Sequence, residues 1–92
     1  MADRAHLIAQ AQACGNLFRL GREVEAALQM VDLLDQASLL FAIAPVSTQQ
    51  AWHTLVVSIF SGQELQDWLG LADDLQYELV ALLEVLPRVS QF

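Results

Sequence analysis

An all-helical domain, a compact antiparallel bundle of four to five helices, is the architecture this sequence predicts. Three observations carry that expectation. Apolar residues recur at spacings of three and four along most of the chain. The runs are punctuated by Gly21, Pro45 and Pro87, residues that end helices. Strand signals are weak, with no Asn-Gly hairpin dipeptide and no sustained apolar–polar alternation. The chain has 92 residues, so residues 1–92 are read as a single helical domain.

The first helix is expected to start behind Asp3 as N-cap and to run to Phe18 or Leu20. Ala5, Ile8, Ala9 and Ala13 form its expected inner face, with Gln12 at the edge. Gly15 weakens a helix by about 1 kcal/mol relative to alanine unless it admits another helix closely. Gly21 is suited to a left-handed C-cap.

The second helix covers Glu23 to Phe41. At about 100° per residue, Glu25, Gln29, Asp32 and Gln36 fall on one narrow stripe and apolar residues occupy most of the remaining circumference. A helix apolar most of the way round is expected at the centre of the bundle. The other reading is that one of its sides meets another molecule. Pro45 closes this segment, and Ser47 with Gln50 forms a capping-box pattern for a third helix running to Phe60. Trp52, Leu55, Val56, Ile59 and Phe60 share one face of it. The "SGQE" stretch repeats the pattern, with Ser61 as N-cap of a short fourth helix ending near Gly70. A fifth is expected from Asp73 to just before Pro87, with Leu75, Leu79, Leu82, Leu83 and Leu86 as its stripe.

Composition narrows the function. The chain is 55% hydrophobic and only 16% charged, which is apolar for so small a domain and points to an exposed apolar patch and a homodimer or obligate heterocomplex. Eleven acidic residues stand against four basic ones, for a net charge of -7. All four basic residues are arginines, which leaves no basic patch for a phosphate backbone and disfavours an anionic membrane surface. A basic protein partner would be attracted. The charge is also unevenly placed. From Gln36 to Gln63 no residue carries a formal charge with His neutral, whereas Glu64, Asp67, Asp73, Asp74, Glu78 and Glu84 crowd the last third. Trp68 sits within that block as an aromatic anchor, so Trp68, Asp67, Asp73, Asp74 and Glu78 are the candidate partner-binding residues.

No catalytic constellation emerges. There is no glycine-rich phosphate loop and no Gly-x-Ser-x-Gly. His6 and His53 have no companion ligands at metal-site spacing. The chain is therefore expected to be non-enzymatic, with no metal and no cofactor. Cys14 is alone and expected to be a packed thiol, which fits a reducing cytoplasm. The longest apolar stretch, "SLLFAIAPV", is too short to span a bilayer.

Two resemblances extend this reading. In "NLFRLGREVEAALQMVDLL", which begins at Asn16 and contains the hairpin 17–34, Leu17 or Phe18, Gly21, Ala26 and Met30 occupy places similar to the central turn of a tetratricopeptide repeat. Gln10 and Ala13 stand where the tryptophan and paired glycine of that repeat are expected. With Asp73, Asp74, Glu78 and Glu84 on one helix and Trp68 before them, the chain also resembles the small acidic all-helical immunity proteins that neutralise interbacterial toxins. That resemblance implies an antitoxin-type inhibitor that covers a cognate toxin's active surface. Likeness to small helical secretion chaperones, which hold an amphipathic segment of a partner, implies the alternative.

Overall fold

The computed structural model describes residues 3–86. All its regular structure is helical: α1 (Arg4–Arg19), α2 (Glu23–Phe41), α3 (Val46–Glu64), α4 (Trp68–Asp73), a π-helical turn (Asp74–Leu79) and α5 (Val80–Glu84). The last three run on as one continuous helix, because Asp74 and Val80 at the joins keep right-handed helical angles. The result is a four-helix all-α bundle among the described residues.

Asp3 caps α1 as expected, its carboxylate accepting the His6 backbone N–H at 2.8 Å. The buried face differs from the expected one. Leu7, Ala11, Cys14, Gly15 and Phe18 point inward, while Ala5, Ala9 and Ala13 are exposed and Ile8 is half-buried. Both sets have helical spacing. The set containing Leu7 and Phe18 removes far more apolar area from water, and alanines tolerate exposure. Gly21 ends α1 with φ of 76°. Gly21 N–H donates to Phe18 O and Arg22 N–H to Leu17 O, the paired bonds of a Schellman turn.

A second such turn ends α3, and here the left-handed residue is Gln66, with φ of 57°. Gln66 N–H donates to Gln63 O and Asp67 N–H to Gly62 O. A side chain in this region costs about 1–2 kcal/mol. Gln66→Gly is therefore expected to raise stability by about 1 kcal/mol, read as a higher thermal midpoint. An unchanged or lower midpoint would show that the strain is relieved elsewhere.

The turn also corrects the expected boundaries. Ser61 is an interior residue of α3, which continues to Glu64, and Asp67 caps the next helix by accepting Gly70 N–H at 3.1 Å. Between two overlapping start signals, the one following the left-handed turn prevails. Ser47 does not cap α3 either. Pro45 is the N-cap, with extended ψ of 153°, and α3 begins at Val46. Gln49 turns back instead, its Nε2 donating to Ala42 O and Ala44 O. These are carbonyls that the end of α2 leaves without helical partners.

The helices alternate in direction. Arg4 at the start of α1 donates to Glu84 O and Leu86 O at the far end of α5, while Arg19 at the end of α1 meets Asp73 and Gln76. Ser58 of α3 donates to Asp74 across the α3–α4 hairpin. The hub is α1, not α2. It packs against α2, α4, the π-helical turn and α5, whereas α2 packs on α1 and touches α3 only sparsely. Small residues allow this. Ala11, Cys14 and Gly15 let neighbours approach the α1 backbone, and the Cys14 thiol donates to Ala26 O at 3.3 Å. Apolar breadth on α2 was a poor guide to centrality, because half of that breadth faces water.

The core comprises the inward residues of α1, then Ala26, Met30, Leu33, Ala37 and Phe41, then Trp52, Leu55 and Ile59, then Leu71, Ala72, Leu75, Leu79 and Leu83. Phe60, expected on the α3 core face, is 55% exposed. It lies one residue round the helix from Ile59, too far to share its burial. Burial raises the Cys14 thiol from 9.0 to about 11. The folded state thus holds this proton more tightly than the unfolded one, and the associated stability is lost as pH rises from about 9 toward 11. At pH 8 a thiol reagent such as Ellman's is expected to modify Cys14 only at the rate of unfolding. Modification at the rate of a free thiol would contradict the burial.

Candidate functional site

Two surfaces answer to the sequence expectations: the acidic block of the last third and the outer side of α2.

Within the acidic block, three of the four carboxylates proposed for partner binding have internal work. Asp67 caps α4 through Gly70 N–H. Asp73 accepts Arg19 Nη2 at 2.7 Å, an ion pair half open to water. Asp74 accepts the Ser58 hydroxyl at 2.8 Å and is half-buried. Glu78 is exposed with no hydrogen-bond or ion-pair partner among the described residues, as are the carboxylates of Glu64 and Glu84. Trp68 is half-buried and stacks on Phe18 with ring centroids 5.7 Å apart and an angle of 13° between planes. It pins the start of α4 to the end of α1 and leaves part of its ring at the surface.

Gln76 lies under this surface and was not singled out from the sequence. It is a buried polar side chain in the π-helical turn. Its Nε2 donates to Gln12 O at 2.8 Å and Asn16 Oδ1 at 2.9 Å, and its Oε1 accepts from Arg19 Nε at 2.8 Å. The side chain rests directly on Gly15, where a Cβ would collide with Gln76 Cγ. Asp73, Arg19, Gln76 and Asn16 form one chain of bonds that sets the register of α4 against α1. Each polar atom of the Gln76 side chain has a partner within it, so Gln76 supports the fold.

On α2 the structure separates two faces that the sequence had merged. Ala26, Met30, Leu33, Ala37 and Phe41 point to α1 and the core. Val24, Leu28, Val31 and Leu39 recur at the same helical spacing on the opposite side and are 74%, 71%, 60% and 73% exposed. The exposed Asp35 falls among them, and its carboxylate has no partner among the described residues. Glu25 and Asp32 edge the stripe. Glu25 pairs with Arg22 at 2.8 Å, and Asp32 accepts from Gln36. Two interleaved stripes at 24/28/31/35/39 and 26/30/33/37/41 were present in the sequence. What was missing there was any indication that only one of them has a neighbour.

Chemistry-bearing groups are otherwise dispersed. His6 and His53 are exposed and on different helices. Among the described residues no group of three His, Cys, Asp or Glu side chains converges to hold a metal. A depression lined by Val57, Phe60, Ser61, Gln63 and Glu64 is wide open and formed by α3 alone. No helix of the described residues is long and apolar enough to cross a membrane. Neither family models, nor curated proteins, nor solved structures match this chain.

Proposed function

We propose that this chain is a non-enzymatic protein-binding protein of the antitoxin or immunity type, acting in the cytoplasm by covering a basic partner's active surface. The observation that carries the reading is the outer side of α2, where four large apolar residues stand in water on a helix whose other side is already packed. Exposed apolar stripes of this length are characteristic of surfaces that another protein covers. The net charge of -7 supports a basic partner by steering encounters, and Glu64, Glu78 and Glu84 remain available to that field. The same apolar stripe supports the second reading, a small helical chaperone that shelters an amphipathic segment of its partner.

Affinity capture of the tagged chain from its native host, followed by quantitative mass spectrometry, tests the shared premise. One stoichiometric protein is expected, and its toxicity should vanish when this chain is co-expressed. A partner that is harmless but insoluble alone selects the chaperone reading. Absence of any stoichiometric partner, or turnover by the isolated chain, would remove both. The two readings also differ in salt response. Inhibition steered by charge is expected to associate more slowly as salt rises, whereas an apolar groove contact is far less sensitive.

A further inference from the structure

The outer face of α2 has a chemistry that selects among occupants. Its apolar residues span nearly the whole helix, so the complement is an elongated apolar ridge and not a single side chain in a pocket. The carboxylate of Asp35 interrupts the stripe between Val31 and Leu39. Covering it with apolar surface would strand a charge, which is costly unless a cation meets it. The cations of the described residues do not. Arg4 is held at the α5 carbonyls, Arg19 by Asp73 and Gln76, and Arg22 by Glu25. A second copy is disfavoured for the same reason. It would bring another net charge of -7 and another set of Asp32 and Asp35 carboxylates to the same seam. A helix carrying both apolar residues and a base satisfies every feature of the face.

We propose, resting on the protein-binding reading above, that α2 docks an amphipathic helix of another protein, seating its apolar ridge on Val24, Leu28, Val31 and Leu39 and pairing a lysine or arginine with Asp35. The packing is helix on helix, with side chains at i, i+4 and i+7 on each partner interdigitating. Asp35 sets the register of the incoming helix, because only one placement both covers the leucines and meets the carboxylate.

The test uses a fluorescein-labelled 18-residue peptide of leucine, alanine and arginine in amphipathic helical order, titrated with the full chain and read by anisotropy. Leu28→Gln with Leu39→Gln changes no charge and touches no core residue. It is expected to weaken binding at least about tenfold, because two of the four apolar side chains that the partner would cover become polar. Asp35→Asn is expected to weaken it by about three- to tenfold, and Gln63→Lys, with the same change of net charge at an exposed position of α3, by less than about twofold. Equal effects of Asp35→Asn and Gln63→Lys would mean unspecific attraction and overturn the proposal. So would unchanged binding by the double leucine variant, or a wild-type dimer in sedimentation that this variant dissociates. The captured host partner separates the two levels of the claim. If the double leucine variant still holds that partner, the α2 proposal falls while the protein-binding reading stands. If the wild-type chain holds none, both fall.

Discussion

Replacing Phe41 by alanine is expected to lower the free energy of unfolding by about 3–5 kcal/mol. Phe41 is 1% exposed and stacks on Trp52 with centroids 4.6 Å apart and planes 16° from parallel. An aromatic pair in this geometry adds about 0.5–1.5 kcal/mol to the area it buries. The position magnifies the effect, because α2 and α3 otherwise touch little and this pair joins the end of one to the start of the other. A chain of this size has a total stability of about 5–14 kcal/mol at 0.05–0.15 kcal/mol per residue. The loss is therefore a large fraction of the whole, and urea denaturation should show it as a midpoint displaced to much lower denaturant. Phe41→Leu fills most of the space and is expected to cost less than half as much. In a Trp68→Phe background, the emission of Trp52 should shift to the red in Phe41→Ala before the unfolding transition begins. A cost below about 1 kcal/mol would place Phe41 outside the group of residues that hold the bundle.

Gly15→Ala is the second large effect, and its sign is opposite to what helix propensity implies. In the interior of a helix, alanine is favoured over glycine by about 1 kcal/mol. Here the added methyl collides with Gln76, whose side chain is buried and bonded at both ends. Overpacking costs about 1–3 kcal/mol, and displacing Gln76 also forfeits hydrogen bonds worth about 1 kcal/mol each. A net destabilisation of about 2–3 kcal/mol is expected once the propensity gain is subtracted. The double variant Gly15→Ala/Gln76→Ala removes the collision and should be less destabilised than the sum of its parts. If the two changes add, Gln76 is not what excludes a side chain at position 15.

Much of the fold was legible in the sequence because it is written in local chemistry. Asp3 as a cap, Gly21 as a left-handed stop, the span Glu23–Phe41 and the leucine stripe at 75, 79 and 83 all follow from interactions within a few residues. Local chemistry does not settle a boundary where two local signals compete. The "SGQE" pattern looked like a helix start. Gln66 accepted a backbone region that non-glycine residues avoid, and so α3 ran on past Ser61 and the start moved to Asp67. Similarly, the alanines of α1 carry too little area to say which way the helix faces, and Leu7 and Phe18 decided it once neighbours were present.

The candidate site was legible only in part. Residue types announced an acidic block, but Asp73 and Asp74 find Arg19 and Ser58 54 and 16 positions away, and no spacing rule reports such pairs. What the sequence by itself determined about this protein is its helical class, most helix boundaries, the excess of acidic charge and the surplus of apolar residues. Those properties depend on backbone preferences and on composition, which act residue by residue. The tertiary structure alone decided that α1 is the hub, that Gln76 lies on Gly15, and that part of the surplus forms a continuous stripe along the outer side of α2. Each of these depends on which helix has a neighbour on which side. Two stripes of equal periodicity on one helix look alike until packing buries one of them and leaves the other in water.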